Sequence, residues 1–237
     1  MTAHRSIRIR MADRPGALSA IGAALAAQRV DIIRLDVVSH EDGAVVDDLF
    51  LAAHDESAID RATASFYGDV EVHALQGFSG DPVTGMALAL GGVGAAVNVR
   101  DALGALANGV RRFLPSDTVA VLRRGTDGGY DILIGAPGLP TVRADEPFAF
   151  RDLVVATELA SREPWAPPGF VAAFGGARVA AVPCGAAGLL LVGRTEPLAF
   201  YRGELERAAA YATAAASIAG SKEGALWSPF DELVAVA

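Results

Sequence analysis

Ala12-Asp-Arg-Pro-Gly-Ala-Leu-Ser-Ala-Ile-Gly-Ala-Ala-Leu-Ala-Ala-Gln-Arg-Val-Asp-Ile32 is the stretch on which the fold turns. Just before it, Ile7, Ile9 and Met11 alternate with Ser6, Arg8 and Arg10, the period-2 pattern of a half-buried strand. The chain then turns through Asp13-Arg14-Pro15-Gly16 into a helix whose apolar residues Leu18, Ile21 and Leu25 recur at helical spacing. Pro15 suits the first helical turn, where its missing N–H would have no partner anyway. A strand–turn–helix of this kind aims free backbone N–H groups and the positive end of a helix dipole at one spot, which suits a carboxylate.

Working outward, Asp31–Val38 reads as a second strand and Glu41-Asp42-Gly43 as a hairpin turn with a glycine for a positive φ. Ala44–Ala52 reads as a third strand, and Glu56–Phe66 as a helix with Ile59, Ala62 and Phe66 on one side. Asp69–Leu75 reads as a fourth strand. The Asp-Arg-Pro-Gly-Ala-Leu turn, followed about fourteen residues later by Val-Asp-Ile, resembles the ACT domain, and the resemblance runs through residues 5–76. It implies a ferredoxin-like βαββαβ module that binds amino acids, regulates metabolism and pairs with a second copy around the ligand.

A ligand carboxylate is expected at the N–H groups around Gly16, Ala17 and Leu18, with Arg14 and Pro15 shaping the turn. By resemblance Asp13 and Asp31 would contact the ligand, where many amino-acid-binding members carry asparagine. Two carboxylates favour a cationic group and repel a ligand carboxylate placed too close. Simpler roles stay open: a helix cap for Asp13, worth about 1 kcal/mol, and a solvated strand start for Asp31. Asp36, Asp47 and Asp48 read as exposed strand carboxylates or dimer contacts, there being no compact oxygen-rich loop for a cation.

A chain of 237 residues with 52% apolar residues can bury one core or two. Its net charge of −8 argues against a nucleic-acid footprint. Seven arginines face twelve Asp or Glu residues within 1–80, so the acidity concentrates there. No apolar run reaches membrane-spanning length, no leader pattern follows Arg5, Arg8 and Arg10, and Cys184 is the one cysteine. A cytoplasmic protein without membrane attachment is therefore expected.

Gly77–Gly85 is rich in turn formers and reads as a linker between residues 1–76 and a second domain over 86–222. There, Ala95–Leu114 reads as a helix, Asp117–Arg123 and Tyr130–Gly135 as strands, and Arg151–Ser161 as a helix. Arg178–Pro183 and Gly188–Gly193 read as apolar strands, and Pro197–Ala219 as a long helix. Helices at both ends of a mostly antiparallel sheet make an α+β domain. Gly188-Leu-Leu-Leu-Val-Gly-Arg-Thr-Glu-Pro-Leu-Ala-Phe-Tyr-Arg-Gly-Glu-Leu-Glu-Arg207 resembles the close of a GAF domain, in which a last strand, a polar turn and a terminal helix follow one another. PAS-like and profilin-type sheets read similarly. Residues 223–237, with Leu226, Trp227, Phe230, Leu233 and Val234, read as a tail docked on the body.

All four histidines (His4, His40, His54 and His73) lie in the first half, without metal-ligand spacing. The second domain therefore offers no His-ligated haem, His-containing metal site or histidine base. Cys184 alone does not support redox chemistry and reads as a buried thiol. Gly91-Gly92-Val93-Gly94 lacks the Lys-Ser/Thr of a phosphate loop, and no Gly-x-Ser-x-Gly elbow occurs. Tyr130, Phe148, Phe150, Trp165, Phe170 and Phe174 suit a core better than a pocket.

No catalytic, metal or cofactor set emerges. The expectation is a non-catalytic, homodimeric sensor of an amino acid or related metabolite, bound by Asp13, Arg14, Pro15, Gly16, Ala17, Leu18 and Asp31. The readings held beside it are an interaction module serving a biosynthetic enzyme or transcription factor, and an enzyme using Asp152 or Glu158 in the second domain.

Overall fold

Strand β1 (Ala3–Ala12) lies between β3 (Ala44–Ala53) and β4 (Glu71–Leu75), and β2 (Asp31–Glu41) closes the sheet as an edge in the order β2-β3-β1-β4. All pairings are antiparallel. The helices α1 (Ala17–Ala27) and α2 (Glu56–Ala64) complete the βαββαβ order. The core gathers Ile7, Ile9, Met11, Leu49 and Leu51 of the sheet with Ile21, Leu25 and Ile59 of the helices. Burying each such side chain contributes about 1.5–3 kcal/mol. In this computed structural model the described residues are 2–41, 43–75, 81–135, 139–146, 148–159, 165–175, 177–185, 188–194 and 199–220. They divide into two units, Met1–Val83 and Thr84–Ala237.

Several local expectations change. Arg8 does not face solvent: it is fully buried, giving Nε to Asp48 Oδ1 at 2.6 Å and Nη2 to Oδ2 at 2.9 Å. The forked guanidinium matches the carboxylate bidentately, so β1 buries both faces along Ser6–Ile9. Asp47 and Asp48 are likewise buried rather than exposed. Leu18, expected on the apolar stripe, is 39% exposed, and only Ile21 and Leu25 of α1 are buried. Pro15 stands outside the helix, which opens at Ala17 behind Gly16. Gly43 does take the positive φ of the hairpin, 70°; Asp42 lies outside the described residues.

Asp47 sits on β3 opposite Ile9 and Val37, and its Oδ1 has no hydrogen-bond donor among the described residues. Burial first and then Asp48 push its carboxyl above the usual range, against a pull from His40 that exceeds the small push from Asp36. A carboxyl raised by folding stabilises fully below its unfolded value, and that contribution disappears as pH rises through the folded value. Asp47→Asn should therefore be more stable than the wild type at pH 7. In urea melts across pH 3–7, the gap should close toward pH 3. A variant no more stable at pH 7 would contradict this.

In the second unit, β5 (Thr118–Arg124), β6 (Tyr130–Ile134), β7 (Thr157–Leu159), β8 (Arg178–Cys184) and β9 (Gly188–Arg194) form one sheet ordered β6-β5-β9-β8-β7. One face carries α3 (Pro82–Ala95), α4 (Val99–Val110) and α6 (Arg202–Gly220) over Val121, Val182, Leu190 and Val192. The other face lies under the aromatic residues and α5 (Pro168–Ala173). Burial on both faces explains why β8 and β9 read as continuous apolar runs. Strand β9 and then α6 close the domain, the order expected of a GAF-like module.

Three segments depart from the sequence reading. Pro82–Gly85 opens α3 instead of lying in a linker, and Gly91–Gly94 continue that helix. Gly85 is a contact point: a Cβ on it would stand 2.2 Å from the Arg112 carbonyl oxygen. The expected helix at 95–114 starts only at Val99, because Asn98 caps it by accepting the Asp101 N–H at 2.9 Å. Within the expected helix at 151–161, Thr157–Leu159 is instead strand β7, paired with Ala181–Val179 of β8. Residues 160–161, the expected linker at 77–80 and the tail at 223–237 lie outside the described residues.

Candidate functional site

The β1–α1 turn is shaped by backbone geometry. Gly16 precedes α1 with φ 87° and ψ −5°, the left-handed region, and no side chain caps the helix. Asp13 is thus not the cap; its carboxylate instead meets His40 Nε2 at 2.5 Å, tying the turn to β2. That hydrogen bond, and then the Asp13 charge, hold the His40 imidazole above its usual range. The Ala17 N–H, expected to be free, donates to the Arg14 carbonyl at 3.1 Å, and the Ala20 N–H donates to Gly16. Leu18 and Ser19 are left as the N–H groups of the first turn with no intrahelical acceptor. The turn carries no acidic residue to offset the dipole.

Beside this turn opens a cavity of about 460 Å³. Its walls are Met11, Ala12, Arg14, Pro15, Gly16 and Ala17 on one side, with Ala20 and Ile21 of α1. Tyr67, Gly68, Asp69 and Val70 of the α2–β4 loop face them. The volume is in the range of small-molecule sites. Of the seven residues expected to bind, Arg14, Pro15, Gly16 and Ala17 line it. Asp13 is turned to His40, Leu18 is not in the lining, and Asp31 stands exposed at the start of β2 opposite Ala52. Sequence reasoning missed the 67–70 wall, whose one local signal is the turn glycine Gly68 with φ 82°.

The second unit's chemistry-bearing residues are engaged elsewhere. Glu158 pairs with Arg178 and accepts the Phe200 N–H at 3.1 Å, while Asp152 lies 3.4 Å from Arg124. Cys184 is buried, its thiol is pushed up to about 12 by burial, and its Sγ lies 3.5 Å from the Ala212 carbonyl oxygen. The aromatic rings pack on one another: Tyr130 meets Phe150 edge-on at 5.4 Å, and Trp165 meets Phe174 at 5.5 Å. Among the described residues no three His, Cys, Asp or Glu gather as a metal site. No described helix is long and apolar enough to cross a membrane.

The ACT domain family model matches residues 5–64. No curated protein matches the chain. Among solved structures, a homoserine dehydrogenase from Thiobacillus denitrificans is similar at 21% identity over 30% of this chain, with a TM-score of 0.23. The match spans 17% of the length of that dehydrogenase. The chromophore-binding domain of an unusual bacteriophytochrome from R. palustris is similar at 14% identity, with a TM-score of 0.45. It covers 89% of this chain and 80% of that one. The family match covers β1, the turn and α1, which carry one wall of the cavity, and it is over residues 5–64 that this chain is matched by the ACT domain.

Proposed function

We propose that the chain is a non-catalytic regulatory protein whose first unit senses an amino acid in the cavity beside the β1–α1 turn. The observation that carries this reading is that cavity, open at the start of α1 within an ACT domain. Binding would shift the population toward the arrangement the ligand prefers. The GAF-like unit would take up that shift or hold a second small molecule, in a cytoplasmic setting without nucleic acid. Thermal-shift measurements with the twenty amino acids test the proposal, and a flat response to all of them would overturn it. Gly16→Val places a β-branched residue at φ 87°, at a local cost of about 1–2 kcal/mol. A Cβ there meets nothing within 4 Å, so the unit should fold while the turn and its ligand response are lost. Unchanged affinity in folded Gly16→Val would refute this placement of the site.

A homodimer belongs to the same proposal. Edge strand β2 exposes Ile32, Ile33, Leu35 and Val37, with Ile33 56% and Val37 54% exposed, and on its outer side it pairs with no other described strand. Such an apolar edge is a template for a second copy. Sedimentation should show a dimer in the wild type and a monomer in Val37→Glu. A monomeric wild type would refute it.

A further inference from the structure

The cavity beside the β1–α1 turn carries two opposite charges that do not use each other. Arg5, Arg8, Arg10 and Arg34 of this unit each hold a carboxylate. Arg14 and Asp69 both line the cavity, yet among the described residues neither makes an ion pair, with the other or with anything else. The Arg14 guanidinium lies against the opposite wall, with Nη2 3.9 Å from where a Cβ would stand on Gly68. It spans from the turn to the loop that bears Asp69. The opening of α1 adds a second site of positive potential, with no acidic residue in its first turn. Apart from Tyr67, the remaining lining is apolar or small, among it Met11, Ala12, Pro15, Ile21 and Val70.

We propose that this cavity selects an α-amino acid with a second carboxylate, of the aspartate or glutamate class. The inference rests on the sensor reading above and narrows it. In this arrangement Asp69 takes the ammonium group and the uncapped turn at Gly16 takes the α-carboxylate. Arg14 is left to close as a fork on the side-chain carboxylate. The count of charges decides the class: two anion-receiving features stand against one cation-receiving carboxylate. A neutral side chain would leave the guanidinium unmatched, and a basic one would be repelled by it.

Isothermal titration of the full chain with L-glutamate, L-aspartate, their amides, L-leucine and L-lysine tests the proposal. One acidic amino acid should bind about tenfold or more tighter than its own amide. Arg14→Gln should erase that preference by weakening the acid and leaving the amide within about twofold, and Arg14→Lys should restore part of it. Asp69→Asn should weaken acid and amide together. Amides binding as well as acids, or Arg14→Gln weakening both equally, would overturn the dicarboxylate class while the sensor reading stands. No heat with any amino acid would overturn the sensor reading and this inference with it. Arg14 and Asp69 are exposed, and unchanged circular dichroism would show that the variants fold.

Discussion

Glu204→Ala is expected to lower the stability of the second unit by about 3–5 kcal/mol, the cost of leaving a buried charge without its counter-charge. Glu204, in the first turn of α6, is fully buried, and Arg194, at the end of β9, is 1% exposed. Arg194 Nη2 gives a hydrogen bond to Glu204 Oε1 at 2.8 Å, and its other nitrogens reach the Pro115 and Ala199 carbonyls. The guanidinium also lies 4.3 Å from the centre of the Phe200 ring, and Glu204 accepts the Tyr201 N–H at 3.1 Å. The pair therefore locks the β9–α6 junction. Removing the carboxylate leaves a cation facing two carbonyl dipoles, too little to offset its lost hydration. Replacing both partners with apolar residues, Arg194→Met with Glu204→Leu, should recover most of the loss. Urea unfolding followed by Trp165 fluorescence, in a Trp227→Phe background, measures both effects. A loss under about 1 kcal/mol in Glu204→Ala would show that the pair adds little.

Gly109→Ala should destabilise the same unit by about 1–3 kcal/mol, although alanine is the better helix former by about 1 kcal/mol. The added Cβ would stand 2.2 Å from Tyr211 Oη and 2.8 Å from Ala89 Cβ, so α6 and α3 would both have to move. The Tyr211 hydroxyl donates to the Leu106 carbonyl at 3.0 Å, and its ring packs edge-on against Phe113 at 4.9 Å. Displacing it forfeits a buried hydrogen bond as well as contact. Gly104, in the same helix, is the control: a Cβ there meets nothing within 4 Å, so Gly104→Ala should stabilise by about 0.5–1 kcal/mol. Equal shifts in the melting temperatures of the two variants would refute the packing argument.

Both cases mark where sequence reading ran short. Glycines 85, 91, 92, 94 and 109 look like loop formers or helix breakers by propensity. In the fold two of them are close-approach points: a Cβ on Gly85 would meet Arg112 in the turn that follows α4, and one on Gly109 would meet Tyr211 and Ala89. Arg8 occupies the polar phase of an alternating strand, and the partner that buries it stands forty residues away on β3. No local pattern carries that pairing. Thr157–Leu159 has no strand periodicity of its own and becomes a strand by pairing with β8. At the cavity, the turn residues 14–17 were legible because Pro and Gly impose local backbone geometry. The 67–70 wall was not, since α2 and β4 bring it there from fifty residues away.

What the amino-acid sequence determined by itself was the βαββαβ order of the first unit, the positive-φ glycine of its hairpin, Gly43, and the apolar strands β8 and β9. These follow from periodicity and from single-residue steric limits, which act within a few residues. Tertiary structure alone decided which carboxylate each arginine meets and that Asp13 joins His40 rather than capping α1. It also decided that Arg14 and Asp69 share one cavity without pairing. Those outcomes depend on which strands become neighbours, and the free energy that selects neighbours is summed over the whole core.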